Sequence, residues 1–126
     1  EGWFLGVKPL SIYSNISENI SPPLSHSELS YRDNIQNNLK RYLDIWNLID
    51  QIWQLKPIKF EYMNLWKTNQ EKKMLFKKGS ALKDKNLSNF LRMLNVSLPQ
   101  KSFDYVNPDV MLLINQERKL INVGLN

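Results

Sequence analysis

The sequence predicts an α+β domain, with central helices, short strands at both ends and room for two lobes. Three observations carry this. Apolar residues recur at steps of three and four from Ile35 to Trp53. Residues 109–125 hold two apolar runs divided by a polar loop. The opening "EGWFLGVKPLS" packs Trp3, Phe4, Leu5 and Val7 beside Gly2 and Gly6, which reads as a short buried strand. A helical middle between strand-like ends is the mark of an α+β arrangement.

At 126 residues the chain is long enough to bury one core. With 42% apolar and 11% aromatic residues it is globular in character. The expected organisation is a single protein-interaction domain over 1–126, and the opening Glu1 agrees with a domain excised from a longer polypeptide. A cleaved signal would place basic residues first and a longer apolar stretch after them. No apolar run approaches the ~18 residues of a membrane span.

Taken in order, residues 1–13 are expected to form one or two strands. Ser14 to Ser27 is a loop, rich in Ser and Asn and carrying Pro22-Pro23. Ser27 is the expected cap of a helix, with Glu28 in its first turn. Ile35, Leu39, Tyr42, Trp46, Ile49 and Trp53 then line one helical face. This is either one helix to about Gln54 or two broken near Asp44, and Pro57 ends it in both cases. The stretch 58–66 alternates like a strand and also steps like a helix. Helix is preferred, because "KTNQEKK" follows with no turn signal. "MLFKKGSAL" is expected as a strand reaching a turn at Gly79, and "NLSNFLRML" as a short helix. A hairpin closes the chain: Val110 to Ile114, a loop at Asn115 to Arg118, then Leu120 to Val123.

Much chemistry is missing. There are no cysteines, which removes thiolate metal sites, disulfides and thiol nucleophiles together. His26 is the lone histidine and has no His or Cys to share a metal. No G-x-G-x-x-G, G-x-x-x-x-G-K-[ST] or G-x-S-x-G pattern occurs. Glu28 with Asp33, and Asp44 with Asp50, lie at spacings that do not put them together on a helical face; carboxylate pairs built by the fold stay open. These absences predict a chain that is not an enzyme and needs no cofactor or metal. Four glycosylation-type triplets begin at Asn15, Asn19, Asn86 and Asn95, as chance allows in an Asn- and Ser-rich chain.

The net charge of +5 is concentrated. Between Lys67 and Arg92, eight basic residues face Glu71 and Asp84, so this segment carries +6 and the other residues sum to −1. Lys72, Lys73, Lys77 and Lys78, with Trp66, Phe76 and Phe90 nearby, are the candidate nucleic-acid contacts, through phosphates and base stacking. The plainer reading is a solvated face. Arginine, the better bidentate partner of phosphate, is nearly absent here. Trp3, Trp46, Trp53 and Trp66 are expected in the core, although Trp also anchors partners at interfaces. Leu24, Leu29, Tyr31 and Arg32 fall off the inward stripe set by Ile35 and Leu39, beside a proline loop. They are the candidate partner-binding residues, the alternative being that they pack under the loop.

One resemblance spans nearly the whole chain. Glu1-Gly2-Trp3-Phe4-Leu5 with Lys8-Pro9-Leu10, the Leu43/Trp46 pair, Pro57-Ile58, Leu65-Trp66-Lys67, Lys72-Lys73 before Gly79, and the closing hairpin follow one another in the order seen in the budding-yeast silent information regulator one and Kin-of-Sir family. The sequence resembles that family with a shorter turn after Leu5, extra residues at 52–56 and none of the family's cysteines. The resemblance implies a nuclear recruitment domain in transcriptional silencing. Such a domain docks on the bromo-adjacent homology domain of the largest origin recognition complex subunit, alongside other silencing proteins and with DNA contact secondary. The alternatives are a nucleic-acid-binding module and a structural subunit of a large ribonucleoprotein assembly.

Overall fold

The structure, a computed structural model, describes residues 1–10 and 20–125. The start of the Ser14–Ser27 loop, residues 11–13 of the expected opening strands and the triplets at Asn15 and Asn19 lie outside the described residues. The elements run α1 (His26–Leu39), a 3-10 turn (Lys40–Tyr42), α2 (Leu43–Trp46), β1 (Trp53–Pro57), α3 (Tyr62–Lys78), α4 (Asp84–Ser97), α5 (Gln100–Asp104), β2 (Val110–Ile114) and β3 (Leu120–Leu125). The α+β class therefore holds, with β1 before and β2–β3 after the α3–α5 block. The chain divides into two compact units, Glu1–Ile52 with Leu94–Pro108, and Trp53–Met93 with Asp109–Asn126.

In the first unit, the helix starts two residues earlier than Ser27 suggested. Ser25 caps it: its hydroxyl accepts from the Glu28 N–H, and the Glu28 carboxylate accepts from the Ser25 N–H at 2.8 Å. This reciprocal pair satisfies two backbone donors that a bare helix start leaves open. The helical stripe is real through Leu39, but the backbone tightens at Lys40–Tyr42 rather than breaking at Asp44. The opening residues make no strand. They form a turn in which the Val7 N–H donates to the Phe4 carbonyl at 3.1 Å. Gly6 sits there at φ +75, and a Cβ would come within 2.8 Å of the Ile52 Cδ1, so both its backbone angle and its surroundings call for glycine. Beyond the turn, Val7 is fully buried with Leu39, Leu98 and Val106, and Phe4, Ile35, Ile52 and Phe103 pack against them. Trp46 donates its indole N–H to the Val7 carbonyl at 2.8 Å and meets Phe4 and Tyr42 ring to ring. The apolar opening thus plugs a helical core instead of joining a sheet.

The second unit holds the sheet, in the order β1-β2-β3. Trp53↔Val110 through Pro57↔Ile114 pair in parallel, and β2 pairs antiparallel with β3, shifted by a bulge at Leu113/Ile114. Parallel pairing requires a long crossover, here the chain through α3, α4 and α5. Trp53 belongs to this sheet and not to the helical stripe, and it is exposed, as are Leu55, Leu120, Ile121, Val123 and Leu125. The "MLFKK" stretch, expected as a strand, is instead the last part of α3 and is helical to Lys78. Gly79 at φ +69 closes α3, its N–H donating to the Leu75 carbonyl at 2.9 Å, while Lys77 and Lys78 face the negative end of the helix dipole.

Arg32 shows how far a polar residue of α1 turns inward. It is 8% exposed, and its Nε–H donates to the Val96 carbonyl at 2.7 Å. Its removal strands that acceptor and empties the volume its stem fills. Arg32→Ala is expected to lower the unfolding free energy by about 2 kcal/mol, and Tyr31→Ala, on the exposed side, by no more than about 0.5 kcal/mol. Urea denaturation of the two variants checks this; equal losses would contradict it.

Candidate functional site

The residues expected to bind a partner separate in the structure. Leu29 and Tyr31 are exposed on α1, Leu24 is half-buried ahead of it, and Arg32 is buried. The expected nucleic-acid contacts separate too. Lys73, Lys77 and Lys78 line a groove of about 490 Å³ in the second unit, whereas Lys72 is exposed outside its lining. Phe76, expected nearby as a stacking ring, is 92% exposed and not part of the groove.

The groove arises where α3 meets the β2–β3 turn. Trp66, Asn69, Gln70, Lys73, Met74 and Lys77 recur along α3 at steps of one, three and four and so share a face. Opposite them stands the turn Gln116-Glu117-Arg118. Asn115 builds this turn: its carbonyl accepts from the Arg118 N–H at 3.0 Å, and its Oδ1 accepts from the Lys119 N–H at 2.9 Å. Arg118 is thereby held at φ +61, a region non-glycine residues seldom occupy. Two contacts fix the turn against the helix. The Trp66 indole N–H donates to the Gln116 carbonyl at 2.6 Å, and the Arg118 guanidinium lies 5.1 Å from the Trp66 ring centroid. Four cationic side chains against Glu117 leave the lining at +3.

A further lysine of this helix has a structural partner. Lys67 reaches Glu71 at 2.6 Å, and lies 5.2 Å from the centroid of the Phe90 ring. Glu71, 5% exposed, also accepts from the Leu82 N–H at 2.9 Å, which ties the segment after Gly79 back to α3. The hydrogen bond from Lys67, helped by the Leu82 N–H, holds the Glu71 carboxyl below its ordinary range, against the opposing effect of its burial. Among the described residues no group of His, Asp or Glu is placed to hold a metal ion, and no helix is long and apolar enough to cross a membrane.

The groove's other residues went unnoticed in the sequence. Asn69 and Gln70 fall in the stretch read as helix and Met74 in "MLFKKGSAL", read as strand; carrying the Trp66–Lys73 stripe on through Met74 would have shown all three on one face. Nothing local places Gln116, Glu117 and Arg118 beside Trp66.

No protein-family profile matches the chain, and no curated protein matches it. A solved structure does: D-glycerate 3-kinase from Cryptococcus neoformans var. grubii, with a TM-score of 0.79 and 24% sequence identity, over 99% of this chain and 48% of that one. The chain thus shares its fold with part of that structure and spans about half of that structure's length. Two expectations are corrected. The resemblance to the silent information regulator one and Kin-of-Sir family gives way to this likeness, because the motifs behind it were short and ordered but scattered, whereas the kinase likeness covers nearly every residue. The expectation of a chain that is not an enzyme is overturned by the same finding, since an enzyme uses this fold.

The Glu71 pair generates a pH dependence. A carboxyl held below its ordinary range in the folded state binds fewer protons there than when unfolded. Its contribution is therefore fully present above about pH 4.3 and is lost as pH falls through the lowered folded value. Wild type is expected to exceed Glu71→Gln in unfolding free energy at pH 7, with the gap narrowing as pH falls below the ordinary carboxylate range. A gap that stays unchanged as pH falls through and below that range would contradict this assignment.

Proposed function

We propose that this chain forms part of a phosphoryl-transferring enzyme, an ATP-dependent kinase acting on a small hydroxy acid of the D-glycerate kind. The observation that supports this is the fold likeness over 99% of the chain. The sheet agrees with it. Leu55, Leu120, Ile121, Val123 and Leu125 expose apolar surface that further polypeptide would cover, as expected of a stretch spanning 48% of the matched kinase. Phosphoryl transfer depends on positioning and on cations that neutralise phosphate oxygens. The basic groove offers such cations, while no G-x-x-x-x-G-K-[ST] phosphate loop occurs in the 126 residues. Nucleotide phosphates would on this reading be cradled by polypeptide other than this stretch. On this reading the activity belongs to the whole polypeptide that carries this stretch, and incubating that polypeptide with ATP, magnesium and D-glycerate, following ADP release and a phosphorylated acid by mass, tests it. D-glycerate-dependent ADP formation is expected; no transfer to D-glycerate or other small hydroxy acids would refute it.

A second reading keeps a docking role for α1, favoured by the exposure of Leu29 and Tyr31. The partner it would take is a nuclear one, the bromo-adjacent homology domain of the origin recognition complex, in transcriptional silencing. Capture of that domain, abolished by Leu29→Asp with the fold retained, is the expected result; capture unchanged by the substitution, or none, would dismiss it.

A further inference from the structure

The groove between α3 and the β2–β3 turn has a chemistry of its own. Among the described residues, no ion pair to a carboxylate engages Lys73, Lys77 or Lys78, in contrast with Lys67. Lys73 and Lys77 stand one helical turn apart, so their ammonium groups can converge on one object. Across from them Arg118 presents a planar fork of donors, its orientation set by the Trp66 ring beneath it. The guanidinium of a surface arginine is ordinarily mobile. Here the Trp66 ring beneath it restricts it, and its backbone stands at φ +61, a strained angle of the kind that gathers where a ligand is held. The amides of Asn69 and Gln70 add neutral donors on the same face.

We propose that this groove binds a small, multiply charged anion: a condensed phosphate or a phosphate ester of charge −2 or lower. Three features favour that class over a nucleic-acid strand. Lining charge is +3, which a single carboxylate would leave largely unbalanced and a diphosphate group would balance. The volume, about 490 Å³, is that of a small-molecule site. Lys72, Lys83 and Lys85, which a strand tracking a basic stripe would recruit, are exposed and outside the lining. The proposal is drawn from these side chains alone and does not depend on the kinase reading. Glu117 is the one carboxylate in the lining and opposes the anion.

Titration of the full chain with inorganic pyrophosphate at constant ionic strength, followed by calorimetry and tryptophan fluorescence, tests it. Saturable binding is expected, weakened at least tenfold in Lys73→Gln/Lys77→Gln and in Arg118→Gly, and within twofold of wild type in Lys83→Gln/Lys85→Gln. Arg118→Gly relaxes the left-handed position, so its thermal stability is expected to be retained while binding is lost. Absence of saturable binding, or equal weakening by Lys83→Gln/Lys85→Gln, would overturn the proposal. So would a twelve-nucleotide single-stranded DNA that binds more tightly than pyrophosphate and depends on Lys83 and Lys85.

Discussion

The hydrogen bond from the Trp66 indole to the Gln116 carbonyl is the contact on which the candidate site depends. It joins a helix residue to a turn fifty positions later and converts two ordinary surfaces into a groove. Without it, α3 would carry a row of solvated lysines and the hairpin a solvated arginine. With it, the cations of both elements line one volume, with the Trp66 ring as part of its wall. The same ring also carries Arg118, so one side chain sets both the approach of the turn and the direction of its charge.

A second constraint lies within α3 itself. Glu71 is buried on the helix that presents the groove, and a buried carboxylate is tolerated only when paired and hydrogen-bonded. Lys67 and the Leu82 N–H meet that need. One consequence is a division of labour among the lysines of the basic segment: Lys67 holds the helix and its following segment in place, and Lys73, Lys77 and Lys78 remain directed at the groove. A charge excess of +6 over 67–92 does not distinguish these roles; the burial of Glu71 does.

Much of the fold was legible in the sequence where local rules govern. The closing hairpin follows from two apolar runs and a polar loop, and a short helix was read at "NLSNFLRML", within α4; Gly79 was read as a turn, but after a strand, where the structure has the last turn of α3. The misreadings occur where distant contacts decide. Trp53 continues the spacing of Trp46 and Ile49, yet parallel pairing with Val110 takes it into the sheet. The opening aromatic cluster has the composition of a strand, but Gly6 bends it so that Val7 enters a helical core. Ser25 and Ser27 flank His26 alike, and only the reach of Glu28 selects Ser25. The basic half of the groove was visible as Lys73, Lys77 and Lys78, because charge density is a local property. Its other half was not, since the meeting of Trp66 with 116–118 is a product of the sheet. The kinase likeness was hidden for the same reason: at 24% identity it resides in the path of the chain and not in short motifs.

The most direct test of the groove is nuclear magnetic resonance on the Trp66 indole proton. The account requires through-space contacts from that proton to the backbone amides of residues 116–118, and a shift of the indole signal when pyrophosphate is added. An indole proton without those contacts, in a protein whose β2–β3 amide pattern is intact, would contradict it.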